Sequence, residues 1–247
     1  ALAGLPMAPD QIAFDPVFTG VASARLDGAQ LTGGEQTDVV LPLASLTKLV
    51  TALVVLDTPP DWSRTVTVTA DDLAYPQRYV NTGDVTSEIS LQADDRVTLG
   101  DLWAAMLIAS SNQAAAILAR ETGLTPAAFA AAMNAKAASL GLQRTAFTEP
   151  SGLDVGNLGT AREMAAIARS AFAIPLVRET TLRRGATITA GRPDGTTRTL
   201  DVVNRNASVL ALGVDAAKTG FLIEAQRNLA VRKGDRIAVV LHARSLA

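Results

Sequence analysis

From Ser45 to Asp57 the chain runs Ser-Leu-Thr-Lys-Leu-Val-Thr-Ala-Leu-Val-Val-Leu-Asp, which predicts a helix that is apolar on nearly every side. Such a helix has no face to offer water and must lie in the middle of a fold. Pro42 precedes it and Pro59-Pro60 stops it. Its apolar stretch, Leu49 to Leu56, is far short of the roughly 20 residues a membrane span requires. The rest of the chain must therefore wrap around this segment, and the flanking patterns say how.

Before it, Asp27-Gly28 is a hairpin signal between Ser23-Ala24-Arg25-Leu26 and Ala29-Gln30-Leu31. After it, Thr65 to Thr69 alternates Thr and Val and reads as a strand, and residues 70 to 97 read as polar and irregular. Thr98 caps a helix to about Ala109, and Ser110 or Ser111 caps the next, to about Glu121. Thr125-Pro126 opens a third, ending at Gly141, and Thr160 with Glu163 forms a capping box for a fourth, 161 to 173. The tail then changes period. Thr187-Ile188-Thr189 and Thr197 to Val203 flank a Pro193-Asp194-Gly195 turn, and Val214 to Thr219 is a strand. Asn228 to Arg232 and Arg236 to Ala243 form a hairpin. Strands, one buried helix, a helical insert and antiparallel strands predict an α+β fold. Residues 1–64 and 161–247 would form a sheet lobe built from both chain ends, and 65–160 a helical lobe inserted between them.

Composition narrows the chemistry. The 247 residues, 48% hydrophobic, suffice for a sizeable core. A net charge of −2 and no basic run leave nothing that would attract nucleic acid or an anionic membrane. There is no cysteine, which excludes disulfides, thiolate nucleophiles and cysteine–zinc sites, and fits an exported protein. No basic segment followed by an apolar one opens the chain, so a signal peptide is expected to have been removed already. The single histidine, His242, ends an apolar strand. A histidine-rich metal site cannot exist, and a Ser-His-Asp triad would have to use this one residue; it reads as an ordinary strand-end histidine. No metal and no cofactor is expected.

Three short motifs carry the chemistry. The first is Ser45-Leu46-Thr47-Lys48. Residues three apart share a helix face, so the hydroxyl and the amine can meet. A serine needs an adjacent base, and a lysine becomes one only when burial lowers its pKa from about 10.4. Lys48 sits one turn into the most apolar helix of the chain, and Ser45 opens that helix where negative charge is favoured. The plainer alternative is a serine N-cap and a surface lysine. The second motif is Ser110-Ser111-Asn112, at a helix junction. There Ser110 could relay a proton to a leaving amine, and Asn112 could bind a substrate backbone or steady Lys48; the alternative is helix capping alone. The third is Lys218-Thr219-Gly220, on a predicted strand whose edge could pair with an extended peptide. Lys218 and Thr219 would meet a substrate carboxylate, and Gly220 would let the ligand approach the backbone. Each motif is weak alone. Two of only four lysines fall in them, no other Ser-x-x-Lys occurs, and the gaps of 65 and 108 residues set them in order.

In that order the motifs resemble those of the penicillin-binding and serine β-lactamase superfamily. Within it the chain is more similar to the low-molecular-mass penicillin-binding proteins, the D-alanyl-D-alanine carboxypeptidases and endopeptidases. The resemblance rests on Ala44 to Ala52, Met133 to Ala137, Leu140-Gly141-Leu142, Thr148 to Leu153 and Thr160 to Glu163, and runs from about residue 18 to 243. Val54 to Asp57, Glu149-Pro150 and Thr160 to Glu163 lean toward the D,D-endopeptidase branch, which cuts crosslinks. The resemblance implies a β-lactamase/DD-peptidase-like fold, Ser45 as nucleophile and Lys48 as general base. Ser110 and Asn112 would flank the scissile bond, Lys218, Thr219 and Gly220 would hold the substrate, and the Ser45 and Phe221 backbone N–H groups would form an oxyanion hole. The partners implied are peptidoglycan peptides and β-lactams, with no nucleic acid, in an extracytoplasmic, periplasmic setting. No C-terminal β-domain or anchor helix is expected.

Three positions depart from the family pattern: Leu222 where a hydroxyl residue is usual, Ala225-Gln226 for a small Ala-Gly pair, and Gln113 where many relatives carry an acid. Two rivals remain. A β-lactamase would need a deacylating carboxylate, for which Glu149 is the candidate, but its Glu-Pro-Ser-Gly-Leu setting matches the peptidases and Leu153 replaces the expected Asn. A muropeptide-binding module without catalysis is the other.

Overall fold

The computed structural model describes residues 11–81 and 86–245. Strands β1 (Ala22–Asp27) and β2 (Gln30–Gly33) form the hairpin expected around Gly28. Strand β3 (Leu41–Pro42) leads through a 3-10 turn, Ala44–Thr47, into helix α1 (Lys48–Val55). There follow β4 (Thr65–Thr67), the single turn α2 (Ala70–Leu73), β5 (Arg96–Thr98) and α3 (Leu99–Ala104), which continues as a π-helical turn, Ala105–Ala109. Helices α4 (Asn112–Arg120) and α5 (Pro126–Ser139) come next, then β6 (Leu158–Gly159), α6 (Ala161–Ala173) and α7 (Pro175–Leu182). The chain closes with β7 (Gly185–Gly191), β8 (Thr197–Val203), α8 (Ala207–Leu210), β9 (Ala216–Leu222), β10 (Gln226–Lys233) and β11 (Arg236–Ala243).

The main sheet joins both chain ends in the order β2-β1-β11-β10-β9, all antiparallel, with β9 at its edge. Ala24, Val239, Ala230 and Lys218 stand in register across it, all on its buried face. A lysine thus ends an otherwise apolar row. Helix α6 packs on the sheet, and α1 packs among α4, α5 and α6. Every residue from Lys48 to Val55 is buried, as an all-round apolar helix requires, each large aliphatic contributing about 1.5 to 3 kcal/mol by leaving water. Among the described residues no helix is long and apolar enough to cross a membrane.

The expected N-caps form: Thr98, Ser111, Thr125 and Thr160 accept from the backbone N–H three residues on. At Thr160 the box is only half made, because the Glu163 carboxylate instead accepts from the Gln143 and Arg144 N–H groups and the Thr145 hydroxyl. The full reciprocal box lies at Thr69 and Asp72, inside the segment read as irregular. The expected helix from Ser45 begins later: Ser45 sits in the 3-10 turn, and neither Leu43 nor Thr47 makes a side-chain cap. The hairpin of residues 185–203 does not join the main sheet. It extends a second sheet, β4-β5-β7-β8, through the Arg96–Gly191 pair. Asp95, fully buried before β5, ties the hairpin there by binding Arg192 at 2.9 Å and also Arg198, from the two ends of the hairpin turn.

Candidate active site

Within residues 41–55 Ser45 alone is not buried. Its turn is fixed by close backbone packing. Ala44 holds φ of +48°, a conformation costly for a residue with a Cβ. A Cβ on Gly152 would lie 1.9 Å from the Ala44 carbonyl oxygen, and one on Gly220 would lie 3.0 Å from the Ser45 nitrogen. The room that Gly220 leaves is therefore filled first by the nucleophile turn, not by a ligand as the strand reading supposed. Strand β9 packs against this turn, so Ser45 and Lys218-Thr219-Gly220 lie side by side.

Lys48 is buried completely, and its Nζ meets three oxygens: Ser45 Oγ at 2.9 Å, Asn112 Oδ1 at 2.7 Å and the Ser151 carbonyl at 2.6 Å. Burial lowers its pKa from 10.5 to about 8, against the opposing pull of the Glu149 and Glu88 carboxylates. As an ammonium, Lys48 has a partner for each of its three protons. As a neutral amine it keeps the bonds to Asn112 and Ser151 and turns its lone pair to the Ser45 hydroxyl. That is the arrangement a general base needs.

Ser110 ends the π-helical turn in a left-handed conformation, φ +64°, and its Oγ accepts from Lys218 Nζ at 2.7 Å. Single π-turns inside helices recur at functional sites. Lys218 is fully buried, with its second bond to the Thr219 carbonyl at 2.7 Å. Burial, then the positive charges of Lys48 and Arg205, push its pKa well below the ordinary value. Lys218 was expected to meet a substrate carboxylate; here its amine faces Ser110 Oγ. Thr219 is half-buried, and the Phe221 ring is exposed with Arg227 over it at 5.3 Å.

Two acids missed as partners by the sequence reading complete the site. Glu88, from the segment read as irregular, accepts from Asn112 Nδ2 at 2.7 Å, Ser111 Oγ at 3.0 Å and Gln113 N–H at 3.0 Å. Glu149 is buried, and its two oxygens accept from Tyr75 Oη, the Ser151, Gly152 and Asp154 N–H groups, Ser151 Oγ and Asn157 Nδ2. Six donors leave no oxygen lone pair to activate a water, which weighs against Glu149 as a deacylating base. It shapes the loop whose Ser151 carbonyl holds Lys48. Nothing at the level of spacing marks Glu88; only the fold brings it to Asn112. His242 bonds the Gly20 carbonyl through Nδ1 at 3.0 Å and packs on Phe18, so its ring is engaged at the strand end as expected.

The fold thus brings together two hydrogen-bonded serine–lysine pairs, Ser45–Lys48 and Ser110–Lys218. The chain belongs to the D-alanyl-D-alanine carboxypeptidase family, whose profile matches residues 27–245. It is 34% identical over 197 residues to the D-alanyl-D-alanine endopeptidase of Escherichia coli, 79% of this chain and 60% of that protein. It is 31% identical over 198 residues to the D-alanyl-D-alanine endopeptidase of Pseudomonas aeruginosa, with the same two coverages of 79% and 60%. The chain thus spans about 60% of the length of these relatives. Among solved structures, the D-alanyl-D-alanine carboxypeptidase of Mycobacterium tuberculosis matches with a TM-score of 0.72 and 29% identity, over 96% of this chain and 85% of that one. A mutant of the Streptomyces K15 DD-transpeptidase matches with a TM-score of 0.80 at 24% identity, over 92% and 91% of the two chains, which shows the shared fold.

Proposed function

We propose that this chain is a serine D,D-peptidase acting on peptidoglycan stem peptides through an acyl-enzyme on Ser45, and that it cleaves crosslinks as an endopeptidase. The observation that carries the reading is the buried Lys48 amine 2.9 Å from Ser45 Oγ, its pKa lowered to about 8. Neutral Lys48 takes the hydroxyl proton as Oγ attacks the D-alanyl carbonyl carbon. The developing oxyanion faces the Ser45 and Phe221 N–H groups, a kind of site commonly worth about 3 to 4 kcal/mol. The C–N bond then breaks as the proton taken up by Lys48 passes by way of the Ser110 hydroxyl, which Lys218 holds, to the leaving amine, and Lys48 is neutral again for the attack of water. Water hydrolyses the ester and frees Ser45. A β-lactam follows the acylation step and stalls at hydrolysis. The described residues between 65 and 160, extended by the 185–203 hairpin, and the rest of the described chain would act as two lobes of one such unit, in an extracytoplasmic compartment.

The endopeptidase assignment draws on relatives named D-alanyl-D-alanine endopeptidase; the carboxypeptidase alternative draws on the family description and the M. tuberculosis structure. Product analysis of digested muropeptides separates them. Monomers released from crosslinked dimers support the endopeptidase, free D-alanine as sole product supports the carboxypeptidase, and no product beyond that of Ser45→Ala protein overturns both in favour of a binding module.

A further inference from the structure

We propose that Glu88 is a positioning residue for the base: by capturing the Asn112 amide nitrogen it turns the amide oxygen onto Lys48 Nζ. The inference rests on Lys48 acting as proposed above. An asparagine amide is nearly symmetric in shape, and only its hydrogen-bond partners decide which end faces which neighbour. With its nitrogen toward Lys48 it would meet the amine donor to donor. Here the ambiguity is removed. Glu88 Oε1 accepts from Asn112 Nδ2 at 2.7 Å, and a carboxylate can only accept. The Ser87 carbonyl supports the same orientation, accepting from Asn112 Nδ2 at 3.4 Å. Glu88 is itself anchored by Ser111 Oγ and the Gln113 N–H through its other oxygen. Asn112 Oδ1, the end left free, receives Lys48 Nζ at 2.7 Å.

The carboxylate also acts through space. Glu88 and Glu149 are the negative groups that raise the proton affinity of Lys48, against burial, while Lys218 is the cation coupled to it from β9. Glu88 is held partly in check by its own burial, which pushes its carboxyl up, and by the bonds from Gln113 and Asn112, which pull it down. Glu88 therefore has two separable effects, one of orientation and one of charge.

Two variants test this. Glu88→Gln removes the charge and adds a competing donor. Glu88→Asp keeps the charge but is one methylene too short to span Asn112 and the Gln113 N–H. Two readouts are needed: the acylation rate with a fluorescent penicillin across pH, and an NMR titration of the Lys48 side chain, which needs no catalysis. Glu88→Gln should shift both the Lys48 titration and the rising, acid-side limb of the rate profile to lower pH and lower the plateau by about tenfold, as expected for a base out of line. Glu88→Asp should leave the titration close to wild type while the plateau falls. A Lys48 titration that does not move in Glu88→Gln, or a plateau that stays at the wild-type rate in both variants, overturns the proposal. A wild-type protein that never acylates, with a titration that does shift, instead counts against the peptidase reading alone.

Discussion

Lys218 Nζ donates to Ser110 Oγ across 2.7 Å from a site without solvent exposure, at the end of a sheet row otherwise made of Ala24, Val239 and Ala230. An amine there is costly to bury, and among the described residues no carboxylate pairs with it. On the proposed function its work is on Ser110. Lys218→Met, which keeps the volume, should hold the melting temperature within a few degrees or raise it. It should also cut acylation by about a hundredfold, the scale of a lost proton-transfer partner. Thermal melts and penicillin-binding rates on the same samples decide; loss of fold without a separate loss of rate contradicts the role.

Lys48 sets the pH profile. Its pKa is lowered to about 8, so below that pH the amine is protonated and cannot accept the Ser45 proton. The acylation rate constant should rise about tenfold per pH unit up to about 8 and level above it. A rate that is flat from about pH 6 to 9 contradicts a lysine base. Lys48→Arg, which keeps the charge but cannot deprotonate, should lose about a hundred- to ten-thousandfold in acylation.

How much of this was legible in the sequence differs from residue to residue. Ser45 and Lys48 were found because a three-residue spacing on a helix dictates proximity, even though Ser45 lies in a 3-10 turn rather than in the helix proper. Ser110 and Asn112 were singled out because a helix junction can present a hydroxyl and an amide while the helices stay rigid, and the fold brings them to Lys218 and Lys48. Glu88 was not, because its segment has no period and its role exists only after the fold brings it to Asn112, 24 residues on. Helix α7 was missed because Pro-Leu-Val-Arg-Glu-Thr-Thr-Leu has two threonines and little repeat of apolar residues. The hairpin at 185–203 was assigned with the sheet lobe because strand pattern gives no partner; in the structure it pairs with β5 and its two arginines meet the buried Asp95.

The two glycines flanking the Ser45 turn separate stability from activity. Gly152 has φ of +86° and would drive a Cβ into the Ala44 carbonyl at 1.9 Å, so Gly152→Ala should destabilise by about 3 kcal/mol or more. Gly220→Ala meets Ser45 N at 3.0 Å with ordinary φ, so about 1 kcal/mol and a displaced nucleophile are expected. Denaturant unfolding beside acylation rates should show the larger stability loss at Gly152 and a disproportionate loss of activity at Gly220. Equal effects on both properties at both sites would contradict the packing described.

Asp95 ties the second sheet together. Burial raises its pKa, but the bonds from Arg198, the Gln92 N–H and Arg192 outweigh this and leave it lowered from 3.8. A depressed acid stabilises the fold above its unfolded pKa, and that contribution is lost as pH falls below 3.8 through the folded value. Asp95→Asn should cost about 3 kcal/mol at neutral pH, since it leaves two arginines without their carboxylate, and should flatten the acid limb of stability. Urea unfolding at about pH 7 and pH 3 measures both; an unchanged acid limb contradicts the assignment.

The most direct test of the whole account is intact-protein and peptide mass spectrometry after brief exposure to a penicillin. The account predicts one penicilloyl adduct, mapped to Ser45, slow to hydrolyse, and absent from both Ser45→Ala and Lys48→Arg proteins. An adduct on another residue, or one that forms on Ser45 at the wild-type rate without Lys48, would contradict it.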